Sequence, residues 1–166
     1  MESPRLDPEE ALIGPVYLVA ALLVIMPAVD FVMSVGAPQP GSVQWRFATV
    51  GLLSGYTLTP LLGVAVALGV AGLAGHAWVQ RVLVWVSLSA SVVLLILLAS
   101  FMLDVLQLRL SVPEEGQRAF RSASARAVLK HVLSVVAFWY LGWRGRRMIP
   151  ERSREKVPRT VRIVSK

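Results

Sequence analysis

The sequence predicts an all-α membrane protein, a small bundle of four transmembrane helices, and two observations carry this prediction. Apolar residues make up 55% of the 166 residues, more than the surface of a water-soluble domain of this size accommodates. The chain also contains four largely apolar stretches, and crossing a bilayer core takes roughly 20 such residues. The last stretch is shorter and more polar than the others. The four predicted spans cover residues 11–35, 47–75, 82–103 and 124–143.

The first span is predicted to be a retained helix. Its start is marked by Asp7 as the N-cap, Pro8 at the first helical position and acids in the first turn, where the helix dipole favours them. These acids also argue against a cleavable signal peptide, because signal peptides begin with positive charge. Pro27 lies inside the span, so we expect a bend there.

A stripe of small residues follows the second predicted span. Small residues at every fourth position lie along one face of a helix and let another backbone approach closely. We call these positions the small-residue face and expect the other helices to assemble against it. Hydroxyl side chains just before Pro60 can bond the carbonyls that this proline leaves free. The face comprises Gly51, Gly55, Thr59, Gly63, Ala67, Ala71 and Gly75.

The third span is expected to continue as a polar helix to about Arg109. Residues 113–125 then predict a short amphipathic helix before the fourth span, with Glu114 and Arg118 paired one turn apart. This segment either lies on the membrane or leads directly into the fourth span. One end of the fourth span is unusually polar, since it takes in Arg126, Lys130 and His131.

Charge placement predicts that both termini lie in the cytoplasm. The entire formal net charge, +7, sits in residues 144–166, a polybasic tail that follows the transmembrane domain of residues 1–143. The positive-inside rule puts such a tail on the cytoplasmic side of the membrane, and four spans bring the N-terminus to the same side. The alternative is three spans, with an outside N-terminus and everything after the third span in the cytoplasm.

The tail is expected to contact anionic lipid headgroups, first through Arg144, Arg146 and Arg147. Each Lys or Arg near an anionic membrane surface contributes about 1 kcal/mol to binding. A docking arm for an acidic partner is the alternative. Nucleic acid is not an expected partner, because no aromatic residue interleaves the charges after Trp143 and bases stack on aromatic rings.

Under the four-span topology, polar and charged residues from all four helices meet at the outer end of the bundle. An ionisable residue costs at least about 2.5–3.5 kcal/mol at the centre of a membrane helix and is best paired. The cluster is therefore either a polar vestibule that binds a proton or a ligand, or a set of interhelical salt bridges that fix helix register. Its acids fall near helix ends, which favours the second interpretation. The predicted members are Asp30, Arg46, Tyr56, Thr59, Asp104, Lys130 and His131.

No catalytic constellation is visible, so an enzyme is not expected. The chain has no cysteine, and no histidine or carboxylate is placed to activate a serine of the membrane helices. His76 and His131 fall on opposite sides of the membrane and cannot ligate one haem between them. We expect His76 to cap a turn and His131 to sit at the membrane interface. Neither a metal site nor a cofactor is predicted.

Three features give the chain a resemblance to other proteins: the number of helices, the segment Trp45-Arg46-Phe47 before the second span, and the glycines and prolines within that span. In these features the chain resembles small four-helix inner-membrane proteins of GC-rich bacteria. The resemblance implies the fold and the membrane, and it implies no activity.

The expected function is that of a non-catalytic integral membrane protein. It would be an accessory or assembly subunit, or a homo-oligomeric scaffold, that packs through the small-residue face. Its partners would be the lipid bilayer and another membrane protein or a second copy of itself. The alternative is a small transporter or channel that uses the polar cluster. A carboxylate at mid-membrane depth would favour that alternative, and the linear sequence places none there.

Overall fold

The computed structural model of the chain describes residues 8–149, and within that range the fold is all-helical. Two helices, α1 and α4, are long and apolar enough to cross a membrane, and α2 with α3 make a third crossing if they count as one bent span. The all-α class is confirmed, whereas four crossings are not. The five helices of the described range are α1 (Pro8–Val35), α2 (Val43–Tyr56), α3 (Leu58–Leu73), α4 (Ala77–Arg109) and α5 (Glu114–Met148).

The second predicted span is two helices rather than one. The break falls at Thr57, which keeps helical backbone angles (φ −79°, ψ −27°), so α2 and α3 are separated by a bend of 42° and not by a loop. Pro60 explains the position of the break, because proline lacks an amide hydrogen and its ring crowds the carbonyl four residues earlier, that of Tyr56. At its start α2 is capped by Ser42, whose Oγ accepts a hydrogen bond from the Trp45 amide at 3.3 Å.

The predicted amphipathic segment and the fourth span form one continuous helix, α5. The segment therefore leads directly into the apolar stretch, which was one of the two alternatives. Pro113 immediately precedes α5 and Pro150 lies just beyond it, so no proline interrupts the 35 residues between. The helix also takes in Arg144, Arg146 and Arg147, whereas Asp7 and the tail after Ile149 lie outside the described residues.

The helices pack as two antiparallel pairs joined by α2. One pair is α4 with α5, and the other is α1 with α3; α2 and α3 also pack against both α4 and α5. The main core cluster lies where α3 meets the α4–α5 pair, and Leu68, Val84, Leu94 and Phe138 are buried in it. Among the described helices α1 contacts only α2 and α3, so it lies at the edge of the bundle.

Candidate functional site

An ion pair joins the start of α2 to the end of α4. Arg46 donates from Nη2 to Asp104 Oδ1 at 2.7 Å and from Nε to Oδ2 at 3.3 Å. Asp104 is only 3% exposed, and Arg46 also bonds the Pro40 carbonyl from Nη1 at 2.9 Å. This two-pronged contact satisfies both carboxylate oxygens and fixes the register of α2 on α4. We call Arg46 with Asp104 the α2–α4 ion pair.

Asp30 lies far from this ion pair. The position of Asp30 along the bundle axis follows from contacts that α1 makes with Tyr56. The Tyr56 hydroxyl is 3.3 Å from Ser34 Oγ, and its ring meets Phe31 edge-on. Tyr56 is the last residue of α2, whereas Arg46 lies in its first turn. Asp30 is one further turn away along α1. With a rise of 1.5 Å per residue, these offsets place Asp30 roughly 20 Å from the α2–α4 ion pair along the helix axes.

A second set of contacts gives the same position of Asp30 along the bundle axis. Thr57, next to Tyr56, is 2.8 Å from Ser134 through their hydroxyls. The next residue of α5, Val135, accepts a hydrogen bond through its carbonyl from Ser91 Oγ of α4 at 3.1 Å. Ser91 lies near the middle of α4, so Asp30 is level with the middle of that helix.

The carboxylate of Asp30 points away from the bundle. The residue is exposed, and within residues 8–149 no side chain or amide bonds its carboxylate; only its backbone carbonyl accepts a bond, from Ser34 Oγ. The neighbouring outward residues Met26, Val29 and Met33 are apolar and exposed. Asp30 is thus a lone carboxylate on an apolar face.

His131 is buried rather than interfacial. It is 0% exposed, its Nδ1 lies 3.0 Å from the Ala127 carbonyl, and its ring stacks on Phe101. A hydrogen on Nδ1 makes that contact a hydrogen bond and leaves Nε2 as an acceptor. Within the described range Nε2 has no partner. His131 is therefore part of the α4–α5 core.

Two predicted cluster residues remain, Lys130 and Thr59. Lys130 is exposed, and with Arg126 it borders a cleft of about 310 Å³ whose wall includes Phe47. Thr59 is half-buried in the first turn of α3. Of the seven predicted residues, the structure joins Arg46 directly to Asp104 and places Asp30 and Tyr56 on a different level. Arg46, Asp104, Lys130 and His131 are thus grouped around Phe47 and Phe101 at one end of α4, whereas Asp30 and Tyr56 lie elsewhere along the bundle.

The small-residue face is divided between two neighbours. Gly63 is buried against α1, where an added Cβ would lie 2.7 Å from the Ala20 carbonyl oxygen, and Ala67 and Ala71 are buried on the following turns of α3. Gly51 instead faces Phe101 of α4. The ends of the predicted face are not packed in this way, because Gly55 is exposed and Gly75 is a turn residue with a φ of +69°.

Sequence reasoning missed a second close contact, between α4 and α5. Added Cβ atoms at Gly142 and Gly145 would lie 2.6 Å from Leu88 Cγ and from Val84 Cγ2. The buried positions of α5 recur every seven residues, the spacing of a coiled-coil seam, and this signal could have located the contact. The seven-residue series are Ser124, His131, Phe138 and Gly145 on α5, and Gln80, Ser87, Leu94 and Phe101 on α4.

Aromatic and basic residues concentrate at one end of the α4–α5 pair, where α4 begins and α5 ends, away from His131 and Phe101. The Arg146 guanidinium lies 5.0 Å from the centre of the Trp85 ring, and that of Arg147 lies 4.0 Å from Trp143. Arg144 is exposed beside them. Trp85, Trp143 and Arg146 also border a groove of about 460 Å³ between α4 and α5. Tryptophan and arginine in this arrangement are typical of a membrane–water interface.

His76 precedes α4 at the turn from α3, and its Nδ1 lies 3.1 Å from the Tyr17 hydroxyl of α1. No group of three or more metal-ligating side chains occurs in the part of the chain that the structure describes. Comparison with protein-family models, curated proteins and solved structures finds no match.

Proposed function

We propose that the protein is a non-catalytic subunit of a membrane assembly, either an accessory or assembly subunit or a homo-oligomeric scaffold, and that it docks through the outward face of α1. The proposal keeps the class of function expected from the sequence and changes the docking surface. The buried part of the small-residue face already packs on α1 within the chain, so it is not available to a partner.

The observation that carries this proposal is the placement of Asp30. Its carboxylate faces outward from a candidate span, level with the middle of α4. A carboxylate facing lipid at that depth costs at least about 2.5–3.5 kcal/mol, and such groups normally pair inside a protein. A partner helix that carries a cation or a hydrogen-bond donor at the same depth would remove this cost. We infer that Asp30 is the polar centre of an otherwise apolar docking face.

We further propose that the protein crosses the bacterial inner membrane four times, with both termini in the cytoplasm. The support is the full-length pairing of α5 with α4. Gln80 contacts Gly145 near one end, Ser91 bonds Val135 in the middle, and Phe101 stacks on His131 towards the other end. A helix aligned with a spanning helix over this length occupies the same depths. The outward residues of α5 at these depths are apolar and exposed, namely Leu129, Val132, Leu133 and Val136.

Site-specific photo-cross-linking in native membranes tests the docking face. A benzoylphenylalanine at Met33, on the Asp30 face, is expected to form a protein adduct with a partner or a second copy. At Ile96, exposed on the far side of α4, the same probe is the control and is expected to react only with lipid. Asp30→Leu should lower the Met33 adduct about tenfold, the effect of losing roughly 1.4 kcal/mol of association free energy.

Two results would overturn the proposal. One is a Met33 probe that reacts only with lipid while the gently extracted protein is a monomer. The other is an equal adduct yield with and without Asp30. Asp30 lies at the depth that the transporter alternative requires of a carboxylate, which the linear sequence did not indicate. That alternative still has less support, because Asp30 faces away from the bundle interior and Arg46 and Asp104 neutralise each other.

A further inference from the structure

A groove between α4 and α5 combines an aromatic wall with a fixed cation. Its walls are formed by Trp85, Leu88 and Val92 of α4 and by Trp139 and Trp143 of α5. Arg146 closes one end. The groove holds about 460 Å³ and opens sideways on the outer surface of the helix pair, where these tryptophans are exposed. Its volume lies in the range typical of small-molecule sites.

The cation is held in place by aromatic rings. The Arg146 guanidinium lies over Trp85, and that of Arg147 lies over Trp143 in the next turn. Such contacts orient a guanidinium and leave its N–H donors available for an anion. No carboxylate lines the groove within the described residues. A matching ligand therefore has a long apolar part and an anionic group at one end.

The position of the groove selects among such ligands. The groove opens on the apolar side of α4, a candidate span, at the end where tryptophan and arginine concentrate. A ligand that reaches it laterally comes from the bilayer, and its anionic group lies at headgroup level. We propose that this groove binds one acyl chain of an anionic phospholipid, whose phosphate is held by Arg146 with Arg147 beside it. This site is independent of the α1 docking face.

The proposal differs from general attraction of a basic tail to the membrane. A diffuse electrostatic contact depends on the number of charges and not on which arginine is removed. A groove site depends on Arg146 and on the tryptophans together. It also requires the acyl chain, so a soluble headgroup analogue does not replace the lipid.

Native mass spectrometry of the full-length protein in detergent tests the site, with phosphatidylglycerol and phosphatidylcholine of identical acyl chains as probes. We expect a phosphatidylglycerol adduct at least about fivefold more populated than the phosphatidylcholine adduct, the factor that one well-placed arginine supplies. Arg146→Gln should remove this preference. Arg81→Gln is the matched control, because Arg81 lies at the same end of α4, is exposed and lies outside the groove.

A second pair of variants separates the groove from the headgroup contact. Trp139→Ala should lower the occupancy of both lipids, whereas Trp78→Ala should leave it unchanged, since Trp78 is exposed outside the groove. Both side chains are more than half exposed, so the fold should tolerate the changes; an unchanged unfolding temperature checks this. Glycerol 3-phosphate should not compete.

Four outcomes would overturn the inference. Equal loss of preference in Arg81→Gln and Arg146→Gln would indicate a diffuse electrostatic contact. Unchanged lipid occupancy in Trp139→Ala, or displacement by glycerol 3-phosphate, would indicate a headgroup contact without a groove. A change of oligomeric state rather than of lipid occupancy in the groove variants would indicate that a second copy of the chain occupies this surface.

Discussion

Asp30 and Asp104 are the same residue type in opposite environments. Asp104 is almost fully buried, and both its oxygens accept from Arg46. Asp30 is exposed between apolar side chains, and no described residue bonds its carboxylate. A buried, paired charge strongly destabilises a fold when one partner is removed. A lone charge on an apolar face contributes nothing of that kind to the isolated protomer.

This contrast predicts different effects for two matched substitutions. Asp104→Asn should lower the unfolding temperature of the detergent-extracted protein, because Arg46 then lacks its carboxylate partner. Asp30→Asn should leave that temperature unchanged or raise it, while weakening the Met33 cross-link in membranes. Differential scanning fluorimetry and the cross-linking assay measure the two effects. A fall in unfolding temperature with Asp30→Asn would assign Asp30 a role inside the protomer.

His131 shows how a buried polar residue is accommodated in this core. One nitrogen contacts the carbonyl a turn earlier, and the ring stacks on Phe101, so the neutral imidazole packs largely as a flat apolar group. Its unpartnered Nε2 costs solvation free energy. Shape complementarity with Phe101 offsets part of this cost.

At the scale of elements, the bend between α2 and α3 decides how the small residues are used. A straight helix would present the whole series to one neighbour. With a bend of 42° at Thr57, the α3 part faces α1 and the α2 part faces α4. One sequence pattern therefore serves two interfaces.

Two glycines of α3 provide a matched test of this packing. Gly63→Ala should destabilise the protein by about 1–3 kcal/mol, because the added Cβ meets the backbone oxygen of Ala20, which cannot move aside as a side chain can. Gly69→Ala should be neutral or stabilise by up to about 1 kcal/mol, since Gly69 has open space around it and alanine favours helix. Denaturant unfolding in mixed micelles measures both.

Equal effects at Gly63 and Gly69 would contradict the packing of α3 on α1. A loss confined to Gly63→Ala, combined with normal insertion into the membrane, would support it. The same experiment therefore tests whether packing on α1 makes the buried part of the small-residue face unavailable to a partner.

The α4–α5 pair has the periodicity of a coiled coil. Its buried residues recur at intervals of seven, and a sustained seven-residue repeat gives a left-handed supercoil. Serine and glycine occupy many of these positions, which lets the two backbones approach closely, as membrane helices often do. Ser91 uses this closeness to bond the Val135 carbonyl directly.

At the scale of the whole molecule, α4 and α5 are longer than a membrane is thick. With 33 and 35 residues, each extends about 50 Å, whereas the hydrocarbon core is about 30 Å thick. If the pair crosses, its polar ends project beyond the lipid. The charges of α5 between Glu114 and Arg126 then lie in water, and the span needs only the apolar middle of the helix.

Cysteine accessibility tests the number of crossings, and the absence of native cysteine makes the readout direct. In intact cells, Arg118→Cys should react with a membrane-impermeant maleimide, because it lies outside the cell in the four-span topology. Met148→Cys and Ser3→Cys should react only after permeabilisation. Val136→Cys, in the apolar middle of α5, should be protected in both conditions.

Labelling of Arg118→Cys only after permeabilisation would favour the three-span alternative. Labelling of Met148→Cys in intact cells would contradict both topologies. Arg118, Val136 and Met148 are exposed on the protein, so burial within the bundle does not confuse the assignment at these positions.

The sequence predicted the existence of the helices better than their relative positions along the bundle axis. Hydropathy located α1 and α4, both candidate spans, because each apolar stretch depends only on neighbours in the chain. The second stretch proved to be the bent pair α2 and α3, and α5 is not among the candidate spans. The expected meeting of Asp30 with Arg46 assumed that all helix ends on one side reach the same height. In the structure α1 ends beside Tyr56, well short of the start of α2, and only tertiary contacts reveal that offset.

Local composition also does not reveal which side of a helix faces the core. His131 lies in a polar stretch of sequence, which suggested an interface, yet the seven-residue repeat turns it into the core. The close approach at Gly142 and Gly145 was missed because the small-residue signal was sought only in the second span. Both features follow from the period of the pattern rather than from local composition.

The continuity of α5 has a mechanical consequence. This helix is one rod without proline. Near its middle the Thr57 and Ser134 hydroxyls share a hydrogen bond and Ser91 donates to the Val135 carbonyl. Because α5 also packs on α4 from Phe101 to Gln80, it can tilt only together with α4, as one rigid pair. A tilt of the pair that displaces Phe120 in one direction carries Arg146 in the other, so a force applied at one end reaches the opposite end without a change of secondary structure.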